Sequence, residues 1–539
     1  MDAGIGQVRT EDAVVGQAEA AAVEDALFNG LRQQVESMID WARSAEALGL
    51  EHGPFEERTV TAGFEAMRLF TEAHFAVRAA RETRRTDVVD ADGDVRVTAE
   101  PGQVHTRLMI YGPVRTTRIA YRRHRKPNLY PQDADLNWAS AHSYSAGVAK
   151  RVARAAAVVP FEQAAVQVSA AGAVTIGKRQ AEELAVAATV DFEAFYAARR
   201  PVPCPPDGVL ITADGSAFTV LPGALRPATA KAAQVRAREA AGWPQDPGEL
   251  RKSTKRSAEL VAVADIPPAP RTSADVIGAL FDTGPRRADR EASTARHGPT
   301  AKGKTVFASA RHPIGQVVAA GFAEAHRRDP DHTRPWFAVV DGNNTQIEAI
   351  NACAGQYQVP VPILIDFIHV VQYLWKAAGS FFYPGDPDAR DWVRTQAVKI
   401  LDGKARDVVT GIRRRATRSG YSGQERAGAD TCATYLENKK DYLDYPAFLT
   451  AGWPIASGLI EGAARWLIKD RMEVTGARWG LDGAEAVLKL RALVGNGDFD
   501  DYFTFHLRQE KQRNHDSHYQ RSEPTPDYPT PPPQPSTPG

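Results

Sequence analysis

The pattern of apolar and polar positions divides the chain into helical and strand-forming regions. Apolar residues recur at three- and four-residue spacing through residues 12–85, which predicts helices there. Residues 94–126 alternate between apolar and polar positions, which is typical of strands. Several short helices are predicted across residues 143–197. A helix-turn-helix DNA reader and ordinary helical packing both account for these short helices.

Further along the chain, apolar strands alternate with helices. The predicted segments are strands at 209–212 and 258–266, an exposed loop at 282–304, a helix at 314–328, and two strands that end at Asp341 and Asp366 and are each followed by a helix. This alternation is typical of a buried, largely parallel sheet with helices on its faces. Residues 384–450 show only helical patterns, and the proline-rich tail after residue 520 predicts disorder.

Length and composition exclude several classes of protein. A chain of 539 residues is too long for one core and suggests two to four domains. No run approaches the roughly 18 apolar residues of a membrane helix, and the acidic N-terminus lacks a signal-peptide pattern. We therefore expect a cytoplasmic protein with no membrane partner. The three cysteines form no C-x-x-C pair, which argues against a cysteine zinc site.

Two aspartates follow apolar strands in the same local sequence. Asp214 and Asp341 each precede a glycine at the end of such a strand. The carboxyl ends of strands are where α/β sheets bind ligands. An Asp-Gly pair is also a common turn signal, so either one alone is weak evidence for a site.

A third carboxylate stands near the start of a predicted helix. Ser457 is expected to cap this helix, which sets Glu461 about one turn inside it. Arg465 and Lys469 then share the face of Glu461 at helical spacing. A solvated ladder of ion pairs explains the same spacing.

Three converging carboxylates would repel one another unless cations lay between them. Carboxylate oxygens are the ligands that Mg²⁺ prefers, and two such ions can promote an in-line phosphoryl displacement. We therefore expect two Mg²⁺ ions, for which Mn²⁺ can substitute, at Asp214, Asp341 and Glu461.

Several longer stretches resemble a known family of enzymes. They include "ITADGSAFTVLPGALRPATAKAA", "RPWFAVVDGNNTQIEAI", "ILIDFIHVVQYLWKAAGSFF" and "ASGLIEGAARWLIKDRMEVTGARWGLDGAEAVLKLRAL". In these stretches the chain resembles transposases of the ISKra-four insertion-sequence family. These are DDE enzymes with an RNase H-like core. The resemblance runs from roughly residue 205 to 520, with weaker similarity back to about residue 95.

The resemblance implies a role for each matched position. Asp214 resembles the first catalytic Asp, on the first core strand, and Asp341 the second, after the fourth strand. Glu461 resembles the acidic residue on the helix after the last core strand. Asp366 and His369 resemble a D-x-x-H signature that supports the site, although a core histidine explains His369 equally well. Asp366 competes with Asp341 for the second catalytic position.

This resemblance gives an expected architecture. It is an α/β fold whose RNase H-like catalytic core has a mixed sheet with flanking helices, interrupted by an all-α insertion and preceded by a mostly helical DNA-binding region. The expected segments are an N-terminal helical region (1–90), a DNA-binding region (91–200), the first part of the core (201–383), the all-α insertion (384–450), the catalytic-Glu and C-terminal helices (451–520) and a disordered tail (521–539). The cysteine pairs common in relatives are absent, and Ala464 stands where relatives carry Cys.

The implied function is cleavage of DNA at the ends of a mobile element and joining of those ends to target DNA. The implied partner is double-stranded DNA, comprising the element's terminal repeats and the target, in the nucleoid. Pairing of two ends implies a homodimer or larger assembly. The basic residues expected to contact DNA are Arg122, Arg123, Arg125, Arg465, Lys469, Arg471 and Arg478.

Three other functions remain open. A structure-specific nuclease of the same fold would cut without joining, and a domesticated DNA-binding regulator would need no catalysis. A glycosidase with a pair of carboxylates is the third, but the sequence shows no aromatic platform for a sugar.

Overall fold

The computed structural model of the protein describes residues 21–138, 143–201, 207–239, 254–282, 296–474 and 476–520. These residues form an α/β structure with one mixed sheet and a separate small antiparallel sheet. The chain divides into two compact units. The first comprises Met1–Ala155, Phe161–Leu184 and Phe503–Gly539, and the second comprises Ala156–Pro160 and Ala185–Tyr502.

The first unit contains a helical hairpin and a small sheet. The helices of the hairpin are α1 (Asn29–Ala42), α2 (Ala45–Leu48) and α3 (His52–Arg81). The strands are β1 (Thr98–Met109), β2 (Gly112–Arg123) and β3 (Lys126–Leu129), paired antiparallel in that order. The helices and strands predicted for this part of the chain are therefore confirmed where the structure describes it.

Five short helices follow along the chain. They are α4 (Pro131–Asp135), α5 (Ala146–Ala156), α6 (Phe161–Ala170), α7 (Lys178–Ala187) and α8 (Phe192–Ala197). Most of their apolar residues are buried, as in an ordinary packed helical region, although Val166 on α6 is exposed. Whether the helices between residues 146 and 187 read DNA stays a prediction.

The second unit is organised around a five-stranded sheet. Its strands are β4 (Gly208–Thr219), β5 (Lys255–Ile266), β6 (Lys302–Ser309), β7 (Trp336–Val340) and β8 (Ile363–Ile365). The order across the sheet is β6-β5-β4-β7-β8. β5 is antiparallel to both of its neighbours, whereas β4, β7 and β8 are parallel. The sheet is therefore mixed, and β7 and β8 are buried along their whole length.

The helices of the second unit follow these strands in chain order. They are α9 (Pro227–Glu239), α10 (Ser273–Ile277), α11 (Ile314–Arg328), α12 (Asn344–Tyr357), α13 (Phe367–Ala378), α14 (Pro387–Leu401), α15 (Ala405–Arg418), α16 (Gly423–Asn438), α17 (Tyr445–Ala451), α18 (Gly458–Ala464), α19 (Asp470–Met472) and α20 (Leu481–Asn496), with α21 (Phe499–Asn514) mostly in the first unit. α11 packs so closely on β5 that a Cβ on Gly321 would lie 2.5 Å from Val261 Cγ2. The all-helical character predicted for residues 384–450 is confirmed.

Two predictions about this sheet are wrong. Residues 302–304 begin β6 and do not belong to a loop, because β6 pairs with β5 along the edge of the sheet. β4 does not end at Asp214-Gly215 but continues to Thr219, because β5 pairs with it over its whole length. The structure also contains, in the ranges it describes, no helix that is long and apolar enough to cross a membrane.

Candidate metal centre

The pairing of β4 with β7 sets Asp214 beside Asp341. Ile211 of β4 pairs with Ala338 of β7 in a parallel ladder. Extended by three residues, this register leads to Asp214 and Asp341, and the charge of Asp341 raises the pKa of Asp214, as expected of close neighbours. The hydroxyl of Thr212 donates to the Val339 carbonyl at 2.7 Å, which continues the contact between the strands beyond the ladder. Because neighbouring strands lie about 4.8 Å apart, these carboxylates belong to adjacent positions of one row.

Asp366 occupies the next position of the same row. Val340 of β7 pairs with Ile365 of β8, so the following residues, Asp341 and Asp366, are neighbours across the two strands. The N–H of Asp366 also donates to the Val340 carbonyl at 2.8 Å. Three aspartates far apart in the chain therefore meet at one edge of the sheet.

The charge of Asp214 is affected by its surroundings. Partial burial raises the pKa of Asp214, and the nearby charge of Asp341 raises it further. The N–H of Gly215, which donates to Asp214 Oδ1 at 2.7 Å, acts in the opposite direction, as do His369 and Lys469. The net effect is a raised pKa, which is what a desolvated carboxylate beside a second one should show.

Asp341 is held in place by its own turn and by a neighbouring helix. Its Oδ1 accepts the N–H of Asn343 at 2.8 Å. With the amide of Gln346 oriented to satisfy its neighbours, that buried side chain donates to Asp341 Oδ1 at 3.1 Å and to the Ala213 carbonyl at 3.3 Å. Gln346 therefore links the Asp341 turn to β4, next to Asp214. No sequence pattern indicated this role.

The turn after Asp341 requires its glycine. Gly342 has a φ of 97°, and a Cβ there would lie 2.9 Å from the hydroxyl of Tyr435. That hydroxyl donates to the Asp341 carbonyl at 3.0 Å. Tyr435 belongs to α16, so the helical insertion directly supports the backbone of Asp341. The Asp-Gly turn signal was thus correct for Asp341, although not for Asp214.

Asp366 is fully buried, and both of its oxygens are engaged. Oδ1 accepts the N–H of Ile368 at 2.6 Å and caps α13. Oδ2 accepts the N–H of Ser457 at 2.7 Å and also the hydroxyl of Ser457. Asp366 therefore ties the end of β8 to the start of α18. Asp341, by contrast, is partly exposed.

The expected capping role of Ser457 is wrong. Its side chain makes no cap hydrogen bond to α18. The Ser457 hydroxyl donates to Asp366 Oδ2, so the side chain is engaged across the unit and not with the first turn of α18. The consequence is that Asp366 positions the helix on which Glu461 lies.

The side chains closest to metal-binding geometry include only part of the predicted set. Asp366, His369 and Glu461 offer ligand atoms that all lie within 4.8 Å of one another. Among the residues described, Asp214, Asp341 and Glu461 do not form a group of that closeness. His369 connects the two sets, because it lies beside Glu461 and also acts electrostatically on Asp214.

The basic residues after Glu461 do not form the expected single face. α18 ends at Ala464 and a π-helical turn, Arg465–Lys469, follows, which changes the spacing of side chains. Lys469 remains close enough to Asp214 to lower its pKa. Arg465 instead lies 3.6 Å from Asp470 and is largely exposed.

Arg471 does not fit the expected contact with DNA. It is 3% exposed, and its guanidinium lies 4.7 Å from the centroid of Trp479. Burial, and to a lesser extent the charge of Arg491, lowers the pKa of Arg471 to about 10. Arg471 is thus a packing residue, whereas Arg478 is exposed.

The arginines of the small sheet are exposed but partly neutralised. Arg122 lies 2.5 Å from Glu100, and Arg123 lies 2.9 Å from Asp94. Arg125 is exposed in the turn between β2 and β3, with a φ of 60°. Contact of Arg122 and Arg123 with phosphate would therefore replace existing ion pairs.

Neither a protein-family model nor a curated protein matches this chain. The resemblance to ISKra-four transposases therefore stays a prediction. What stands independently of it is the row of aspartates and its link to the helix of Glu461.

Proposed function

We propose that this protein is a DDE-type transposase that cleaves DNA at the ends of an insertion sequence and joins them to target DNA. One observation carries the proposal: Asp214, Asp341 and Asp366 share one row at the edge of the sheet, and Asp366 holds the helix of Glu461. Acidic residues that are far apart in the chain thus gather at the carboxyl ends of the strands, where α/β sheets bind ligands.

The sheet supports an RNase H-like core for the second unit. Its order runs third, second, first, fourth, fifth strand, and only the second strand is antiparallel to the others. This is the arrangement of RNase H-like sheets. Asp214 lies on the first strand, Asp341 follows the fourth, and Glu461 lies on a helix after the fifth, as the resemblance requires.

The residues present fit divalent ions with hard oxygen ligands. Asp214, Asp341 and Glu461 are the carboxylates with solvent access, and they would hold two Mg²⁺ or Mn²⁺ ions. Bound ions would supply the charge stabilisation that phosphoryl transfer needs. Asp366 contacts the start of α18, and His369 and Lys469, which both lower the pKa of Asp214, would contact a phosphate bound there.

DNA would approach this edge of the sheet through exposed cations. Lys469 is exposed and acts electrostatically on Asp214, and Arg478 is exposed in the segment that follows. Arg122, Arg123 and Arg125 offer a second basic surface on the small sheet. Binding to phosphates releases counterions, so affinity for DNA should fall steeply with salt. We expect the transposase to act on the DNA of the nucleoid, in the cytoplasm.

The test is strand transfer into a supercoiled plasmid by the purified chain, with Mg²⁺ and DNA carrying the element ends. We expect both nicking and joined product. Asp341→Asn should lower both by at least about 10³-fold, because it removes a carboxylate that would hold the metal ions whose charge stabilises the transition state. Asp391→Asn, an exposed aspartate on α14, is the matched control and should retain activity.

The same assay separates the alternatives. Nicking without joining would favour a structure-specific nuclease that uses the same carboxylates. DNA binding with no metal-dependent chemistry would favour a non-catalytic regulator. Either result would contradict the transposase proposal.

A further inference from the structure

The helical insertion reaches the row of aspartates through one side of α16. Tyr435 lies in the last turn of this helix and Lys439 caps its carboxyl end, so the two side chains, four residues apart, project to the same side. The hydroxyl of Tyr435 donates to the Asp341 carbonyl, and the ammonium of Lys439 donates to the side chain of Asn344. α16 therefore contacts both ends of the turn that joins β7 to α12.

Lys439 is a buried cation beside this turn. Only 8% of the residue is exposed. Its Cε lies 3.6 Å from the position that a Cβ on Gly342 would occupy. Because Gly342 directly follows Asp341, the ammonium lies near a carboxylate that is a candidate for metal binding. A lysine is seldom buried unless a negative charge compensates it.

The charge that acts on Lys439 is that of Asp341. Burial lowers the pKa of Lys439, and the negative charge of Asp341 acts in the opposite direction. The hydrogen-bond partner of the ammonium, the amide of Asn344, is neutral. The donors to Asp341 Oδ1, the N–H of Asn343 and the amide of Gln346, are neutral as well. Lys439 is therefore the cation that the insertion places next to Asp341.

The same carboxylate would hold a divalent ion. An ion at Asp341 would lie near the ammonium of Lys439, and like charges repel. The ammonium should therefore compensate Asp341 in the metal-free protein and oppose the binding of the ion. A lysine that only fills space, or only holds Asn344, would have neither effect.

We infer that Lys439 is a positioning residue of the candidate metal centre, whose ammonium compensates the charge of Asp341 in the metal-free protein and lowers the affinity for the ion. The competition with the ion rests on the proposed function. The pairing of Lys439 with Asp341 does not.

The pairing is tested by a double-mutant cycle of thermal unfolding in EDTA, built from Lys439→Met and Asp341→Asn. The change in midpoint caused by Lys439→Met should be about 2 °C less favourable in the wild type than in the Asp341→Asn background, which lacks the negative charge. Lys440→Met removes the exposed lysine next to it and is the matched control, for which both backgrounds should respond equally. Equal responses of both backgrounds to Lys439→Met would overturn the inference.

Calorimetric titration with Mn²⁺ tests the competition. Lys439→Met should bind Mn²⁺ roughly tenfold more tightly than the wild type, because it removes one partly screened charge near a divalent ion. Removing a residue that merely supports the turn would weaken binding instead. Lys439→Gln keeps a donor for Asn344 and removes the charge, so it should also tighten binding, whereas Lys440→Met should not. Far-UV circular dichroism verifies that each variant is folded. Binding that is unchanged or weaker in both Lys439 variants would overturn the inference.

Failure of the proposed function would give a different result. A wild type that binds Mn²⁺ but joins no DNA would contradict the transposase proposal, and the tightening in the Lys439 variants would still support the inference. A wild type that binds no Mn²⁺ would overturn the metal centre and the competition together. The cycle in EDTA would still decide whether Lys439 and Asp341 pair.

Discussion

Replacing Asp214 by asparagine should stabilise the metal-free protein while abolishing its response to Mg²⁺. The folded chain holds Asp214 beside Asp341 and partly out of water, and both effects raise the pKa of Asp214. The ionised carboxylate therefore costs folding free energy at neutral pH. Asparagine keeps the shape of the side chain and removes this cost.

The magnitude follows from the spacing of the strands. Two charges about 5 Å apart repel by about 3 kcal/mol at an effective dielectric constant of about 20. Both side chains are partly exposed, so screening by water and salt should reduce this to about 1 kcal/mol. The unfolding midpoint should then rise by a few degrees, since about 1 kcal/mol shifts a mid-sized domain by about 2–4 °C.

The assay is thermal unfolding in EDTA and in Mg²⁺ across a pH series. A carboxyl group whose pKa is raised by folding favours the folded state at low pH, and this advantage is lost as pH rises through the raised pKa. The gain from Asp214→Asn should therefore develop as pH rises from the ordinary carboxyl pKa to the raised pKa and be complete above it. Mg²⁺ should raise the midpoint of the wild type but not that of the variant, and Asp391→Asn should behave like the wild type.

One set of results would refute this reasoning. If Asp214→Asn lowered the midpoint in EDTA at neutral pH, the carboxylate would be stabilising, and the two aspartates would not repel each other at close range. An unchanged response to Mg²⁺ would mean that Asp214 does not hold the ion.

Three further predictions concern the same unit. Mg²⁺-dependent cleavage should increase with pH through the raised pKa of Asp214, since ion binding requires the carboxylate form; a pH–rate profile that stays flat would count against this. Ser457→Ala should lower the free energy of unfolding by about 1–3 kcal/mol, measured by urea titration, and weaken Mn²⁺ binding, measured by calorimetry. Ser457→Thr keeps the hydroxyl and should retain both properties. Equal behaviour of the two variants would contradict the role of the hydrogen bond to Asp366. Arg471→Ala should lower the free energy of unfolding because it removes the contact with Trp479. Arg465→Ala should leave the free energy of unfolding unchanged and reduce the salt dependence of DNA binding. If Arg465→Ala lowered the free energy of unfolding and Arg471→Ala did not, Arg465 would be the packing residue.

Much of the acidic row could be predicted from the sequence, because its signals are local. The strands that end at Asp341 and Asp366 are short apolar runs bounded by polar residues, and both are present as predicted. The pattern could not show that the two strands pair with each other in a register that aligns these residues. Register depends on contacts between strands and not on the pattern within one strand.

Two strand boundaries were missed for the same reason. The start of β6, from Lys302, is polar and contains glycine, so it reads as a loop until pairing with β5 is known. Gly215 reads as a turn, but β5 extends along β4 and keeps the chain extended there. Long-range pairing overrides local preference in both cases.

The side chains that contact Asp341 and Asp366 could not be predicted from the sequence. Gln346 and Tyr435 contact Asp341 from α12 and α16, and Ser457 contacts Asp366 across 91 residues of chain. Arg471 reads as a surface cation but is buried against Trp479. Such contacts follow from how helices pack and leave no periodic trace in the sequence.

The most direct test of the central claim is anomalous diffraction from crystals soaked in Mn²⁺. The account predicts two Mn²⁺ ions at the edge of the sheet, coordinated by Asp214, Asp341 and Glu461, with Asp366 retained on Ser457. A single ion held by Asp366, His369 and Glu461, or no ion at this edge, would contradict it.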